Sequence, residues 1–255
     1  MSPLDFSKLP DLAAEHPELD ADERVYAGHM KAREDALLQI FGETEPKGQI
    51  LSPAEPDLTL NWPGGGVHPY APREGRTGWH YVTHGLAQPF VDAVDAPPKA
   101  ADAPQEGPSG FGIELVISTP AETAWAPQLL LNFVRYLFFD DEAAVFHPGD
   151  RIPCPAFADV QKGTKISHLI CVQSPEYASE LLLPGGTCTL VHLMGVTSAE
   201  IARAKSMGPS GPGTEVLFAT LLALGIPPTS DLTRKCATLD RRFDKTWREH
   251  AKRAK

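Results

Sequence analysis

Cationic residues are scarce: 23 Lys and Arg stand against 33 Asp and Glu, a formal net charge of −10 over 255 residues. A chain this acidic lacks the concentrated basic surface that phosphate recognition needs, which argues against a nucleic-acid partner. Long apolar runs are missing too. The best, Leu129 to Phe139, is interrupted by Asn132 and Arg135 and falls short of the roughly 20 residues that span a bilayer, so no membrane partner is expected. Cysteine is sparse, and Cys154, Cys171, Cys188 and Cys236 contain no C-x-x-C pair. Zinc-ribbon and dithiol chemistry therefore have no ligand spacing to build on, and each thiol is expected to be reduced and buried. The first twenty residues carry neither the basic start nor the apolar stretch of a secretory signal, so the cytoplasm is the expected location. Catalytic signatures are absent as well. Gly107 to Phe111 reads GPSGF rather than a nucleophile elbow, no lysine follows a glycine cluster as in a P-loop, and no H-E-x-x-H occurs.

What is present is a globular composition, 42% hydrophobic and 22% charged, with enough length to bury a core. Twenty-five prolines and 21 glycines exceed the usual combined share of about 12%, so long loops are expected. Asp20 can cap a helix running to Phe41, with Glu23 three residues on and Gly42 as its stop. A short strand is read at Asp57 to Trp62, and the run PGGG from Pro63 to Gly66 reads as irregular. Gly78 to Leu86 alternates Trp79, Tyr81 and Thr83 against His80, Val82 and His84, a strand pattern. Asp92 to Pro108 is a low-complexity Ala/Pro/Asp loop. Phe111 to Ser118 alternates strictly, placing Phe111, Ile113, Leu115 and Ile117 on one face.

Three-and-four spacing of Leu130, Phe133, Val134, Leu137 and Phe138 predicts a helix over Ala126 to Phe139 that packs on the sheet. Strands follow at Thr164 to Gln173 and Thr187 to Gly195, with PGG at Pro184 to Gly186 turning between them as a hairpin with a few extra residues. Thr197 and Glu200 form a capping box for a helix at Ser198 to Met207, and GPSGPG separates it from an apolar helix at Thr214 to Leu224. Strands and helices in this order, without a βαβ repeat, predict α+β: a mixed, largely antiparallel sheet packed against helices. From Arg241 to Lys255 seven Lys and Arg face only Asp244 and Glu249, which reads as a solvated helical or frayed tail.

The histidines are the candidates for chemistry. His80 and His84 have i, i+4 spacing, but on a strand that separates them by about 13 Å, too far to share an ion. His168 and His192 sit in apolar strands that could lie side by side. A metal-dependent hydrolase using His80, His84, His168 and His192 is the rival reading, against hydrogen-bonded core histidines. Asp140, Asp141 and Glu142 follow the central helix directly, where its dipole disfavours negative charge. That cluster is either a binding rim or a solvated corner.

Several ordered segments carry a resemblance. They are GWHYVTHGL at 78–86, GPSGFGIELVIS at 107–118, the Trp125 helix ending NFVRYLF, HPGDRI at 147–152, TKISHLICVQSPE at 164–176, LPGGTCTLVHLMGVTSAEI at 183–201 and DLTR at 231–234. Together, from Trp79 to Arg234, the chain resembles the suppressor of fused family. The resemblance implies a single suppressor of fused-like domain over 77–235, a helical extension with loops over 1–76 and a basic tail over 236–255. It also implies a non-catalytic binding module with no cofactor. Animal members restrain zinc-finger transcription factors of the Hedgehog pathway by holding a short peptide as an added strand between two lobes. Bacterial relatives consist of the first lobe, and some look like immunity proteins against polymorphic toxins.

At 255 residues a second lobe is not expected here, so the two-lobed clamp is not expected to carry over whole. Two positions do: the Tyr of R-Y-x-F, here Tyr136, and the Asp of the following G-D, here Asp150, both at the partner-binding face in the animal proteins. With Asp140, Asp141 and Glu142 they are the expected site for a protein or extended peptide that is locally basic, a toxin domain among the candidates. The alternative is that Tyr136 completes the buried face of its helix and Asp150 caps a turn. The family's N-G-x-G before the last helix appears here as GPSGPG, which alters that loop.

Overall fold

A capping box starts the first helix. The Asp20 carboxylate accepts the N–H groups of Asp22 and Glu23, and Glu23 accepts that of Asp20 in return, so α1 (Ala21–Phe41) begins where the sequence predicts. It stops at Gly42, whose φ of 76° a side chain would resist. Asp20→Ala should lower stability by about 1 kcal/mol, read as a shift in the urea midpoint; no shift would show that α1 is held by packing alone. The computed structural model describes residues 2–45, 51, 62, 65–76, 78–89, 106–209 and 211–254. The strand read at Asp57 to Trp62 (apart from Trp62) and most of the loop at Asp92 to Pro108 lie outside them.

The centre is an eight-stranded mixed sheet. Its strands are β1 (Leu4–Asp5), β2 (Gly66–Tyr70), β3 (Trp79–His84), β4 (Pro108–Thr119), β5 (Arg151–Pro153), β6 (Ile166–Val172), β7 (Glu180–Leu183) and β8 (Gly186–Thr197). They run in the order β1-β7-β8-β4-β3-β2, while β6 also pairs with β8 and β5 with β6. Pairing is antiparallel except for β1 with β7 and β4 with β8.

Two strands depart from the sequence reading. The last glycine of PGGG opens β2, which also contains Pro69. That proline lies opposite Tyr81 of β3, at a position whose carbonyl turns away from β3 to accept the N–H of Glu45, so the ladder tolerates its missing N–H. The PGG turn joins β7, not β6, to β8. The long β8 then accepts β6 as an antiparallel partner farther along, from Val172 opposite His192 to Ile166 opposite Thr197.

Six α-helices lie among the described residues: α1, then α2 (Trp125–Phe139), α3 (Phe157–Val160), α4 (Ser198–Lys205), α5 (Pro212–Ala223) and α6 (Phe243–Arg253). Alternation along the strands sorts the core by face. Tyr81, Ile113, Leu115, Ile117, Val191 and Leu193 pack against Leu130 and Val134 of α2. On the opposite face Val82, Val116 and Leu190 meet Ala36, Leu37 and Phe41 of α1. Ile170, Met194 and Val196 meet Ile201, Leu217, Phe243 and Trp247 of α4, α5 and α6. The result is helix, sheet, helix, an α+β arrangement.

The segment read as a solvated tail is part of this core. Phe243 and Trp247 of α6 are 1% and 6% exposed, with rings 6.1 Å apart. The net charge of the window hid an amphipathic helix whose apolar residues are four apart, while Lys245, Arg248 and Lys252 face solvent. Among the described residues no helix is long and apolar enough to cross a membrane.

Candidate functional site

α2 buries Ala126, Leu130, Val134 and Leu137 on the sheet and leaves Tyr136 half-buried one position round the helix. The chain after α2 folds back onto that tyrosine. Its hydroxyl accepts the N–H of Ala144 at 2.9 Å, and its ring lies 5.8 Å from Phe146, which also meets Phe133 at 5.1 Å. The acidic corner is a turn within this excursion: Asp140 accepts the N–H of Glu142 through its side chain and that of Ala143 through its carbonyl. Asp140, Asp141 and Glu142 are exposed, beside a Phe139 that is 45% exposed and has the Arg135 guanidinium over its ring.

Asp150 closes the next turn. Its carboxylate accepts the N–H of His147 at 2.7 Å, and its backbone carbonyl accepts the N–H of Cys171, leading into β5. Tyr136 and Asp150 thus stand at the two ends of one folded-back segment, each with a structural duty as well as exposed surface. The sequence offered no sign of Arg151. Its guanidinium donates to the Thr214 hydroxyl at 2.8 Å and to the carbonyls of Gly208 and Pro209, tying the GPSGPG loop to the turn that holds Asp150. Thr214 in turn donates to the Gly149 carbonyl at 2.7 Å. The altered loop is therefore fastened directly behind the candidate site.

The fold brings the His80 and His192 rings to 6.1 Å but does not gather the four histidines into one centre. His168 lies opposite Val196 and His192 opposite Val172, so the β6–β8 register keeps those two apart. His192 is fully buried between the Tyr177 hydroxyl at 2.8 Å and the Pro228 carbonyl at 2.6 Å, and burial holds its pKa down to about 3. His80 sits 3.2 Å from Glu176; burial lowers its pKa despite that carboxylate. His84 stacks on His68 with ring centroids 3.7 Å apart. Among the described residues no three His, Cys, Asp or Glu side chains converge as a metal site.

The suppressor of fused protein (SUFU) family model matches residues 62–235, most of the chain. The chain belongs to the suppressor of fused family. The human and mouse suppressor of fused homologs are each 27% identical over 155 residues, which is 58% of this chain and 30% of each relative. The chain therefore matches under a third of the length of those curated relatives. Among solved structures, the chain in the Sufu–Fu complex superposes with a TM-score of 0.62 at 20% identity, over 86% of this chain and 95% of that one. Drosophila suppressor of fused gives a TM-score of 0.55 at 19% identity, over 74% of this chain and 46% of that one. These likenesses establish a suppressor of fused fold.

Proposed function

We propose that this chain is a non-catalytic protein-binding module that holds a locally basic, extended segment of a partner at the corner formed by the end of α2 and the start of β5. Its membership of the suppressor of fused family carries the reading, and the solved relative in complex with Fu is the precedent for a protein partner. Tyr136 supplies ring area with a hydroxyl, Asp150 a charge-assisted acceptor, and Asp140, Asp141 and Glu142 a rim that attracts cations. A net charge of −10 steers a basic partner toward this surface and affects its association rate more than its final affinity. Within this class we favour a toxin domain neutralised in the cytoplasm, on the resemblance to single-lobed bacterial relatives. A secreted toxin encoded beside the gene and captured by the purified protein is the expected finding.

The site is tested with paired substitutions against a co-purified partner. Tyr136→Ala and Asp150→Asn should each weaken binding by about 1–3 kcal/mol, the range of hot-spot truncations. Asp150→Asn keeps an oxygen for the His147 N–H, and Tyr136→Phe keeps the ring against Phe146, so lost binding is separable from lost fold. Unchanged isotherms with intact circular dichroism would place the partner elsewhere.

A further inference from the structure

On the face of the sheet that carries α1, opposite α2, lies an open cleft of about 330 Å³. Its walls are Glu34, Asp35 and Leu38 from the last turns of α1, His68 and Tyr70 from β2, and His84 from the end of β3. Glu43, just past the helix, adds a third carboxylate, and no Lys or Arg is among the described residues that line it. Asp35 is paired with Lys31 at 3.2 Å, whereas Glu34 makes no ion pair among the described residues. Leu38 is 51% exposed at the rim.

His84 is 4% exposed, and its Nε2 has no hydrogen-bond partner among the described residues. Buried polar atoms are almost always paired, so this nitrogen, on a residue that lines the cleft, is an acceptor that no described residue satisfies. Burial holds His84 well below the usual histidine range and His68 down to about 4. Near neutral pH both stacked rings are therefore uncharged, and one nitrogen of each can accept a hydrogen bond.

The positive groups nearby are already engaged. Arg33 points into the protein, donates to Gln88 at 2.8 Å and acts on the buried Glu114 carboxyl. Arg73 and Arg76 cap the Ile40 and Phe41 carbonyls at the end of α1.

We propose that this cleft binds a primary ammonium on an alkyl stem. The cation sits among the carboxylates of Glu34, Asp35 and Glu43, one N–H is donated to His84 Nε2, and the stem lies along Leu38 and Tyr70. The volume suits one such group, either a free alkylamine or the lysine side chain of another protein. Because the cleft and Tyr136 lie on opposite faces of the sheet, this inference stands or falls separately from the partner site above.

Two-dimensional correlation of imidazole nitrogens in ¹⁵N-labelled protein tests it, with n-butylammonium as the probe at constant ionic strength. A saturable shift of His84 Nε2 is expected, with affinity about tenfold weaker in Glu34→Gln, the size of a lost charge-assisted hydrogen bond. Nα-acetyl-lysine methylamide separates the sources. Tighter binding than butylammonium identifies a protein lysine, and weaker binding a free amine. Three outcomes overturn the proposal: no saturable shift, an equal shift with uncharged 1-butanol, or full affinity in a folded Glu34→Gln variant. The butanol comparison uses the unaltered protein, so the test holds even where the variant fails to fold.

Discussion

Arg234→Ala is expected to remove about 3–5 kcal/mol of folding free energy, because it strands an ionised carboxylate in the interior. Glu200, fully buried at the start of α4, accepts both terminal nitrogens of Arg234 at 2.7 and 2.8 Å, together with the N–H groups of Thr197 and Ala237. One carboxylate thus joins the capping box of α4, the DLTR segment and the 3-10 turn before α6. Burial pushes the Glu200 carboxyl up, but the bonds and charge of Arg234 with those two N–H groups outweigh it and hold the pKa below the ordinary glutamate value. Since the folded value is the lower one, this stabilisation is present above the unfolded value of about 4.3 and is lost as pH falls through the folded one. Urea denaturation of both proteins at neutral and acid pH measures it. The gap between them should close on acidification. A gap under about 1 kcal/mol at neutral pH would mean that water replaces the guanidinium.

Phe243→Ala should be comparably damaging, about 3–5 kcal/mol, as for other buried phenylalanines truncated to a cavity. Phe243 stacks on Trp247 and closes the cluster formed by α4, α5 and the far ends of β6 and β8. Arg203 of α4 lies over the Trp247 ring and pairs with Asp244, so α6 is fastened at its rim as well as through its core. Thermal denaturation decides between this and a solvated tail, for which the substitution would change stability by less than about 0.5 kcal/mol.

How far the sequence could be read depended on whether an element advertised itself locally. Alternation in Phe111 to Ser118 and the Asp20/Glu23 and Thr197/Glu200 pairs are local signals, and β4, α1 and α4 form where they predict. β2 carries a glycine and a proline that normally argue against a strand; buried Pro69, whose carbonyl turns away from β3 to the Glu45 N–H, is intelligible only once β3 is beside it. β7 is too short, at four residues, for a period to emerge from ELLL. For α6, counting charge over the whole window concealed the two residues that matter.

The candidate site shows the same division. Tyr136 and Asp150 came from ordered motifs, not from any physical signal in their neighbourhoods. The Arg151 tie to the GPSGPG loop and the Arg234 pair with Glu200 join residues far apart in the chain, and only the fold brings them together. His168 and His192 were placed on the correct pair of strands. Their separation is a matter of register, which includes an irregularity between Ile166 and His168 that periodicity does not reveal.

The position of β8 also dictates when the molecule can fold. Its partners on one side, β6 and β7, precede it closely in the chain, but its parallel partner β4 is made long before. During synthesis β3 and β4 can pair as soon as both emerge, while the other edge of β4 must wait until residues 186–197 have been added. Until then Leu115 and Ile117 on a bare strand edge are available to any neighbouring chain. Non-local closure of this kind is slow, on the order of milliseconds to seconds for sheet-rich domains. A pause in translation before β8 would therefore leave β4 as the place where nascent chains join one another.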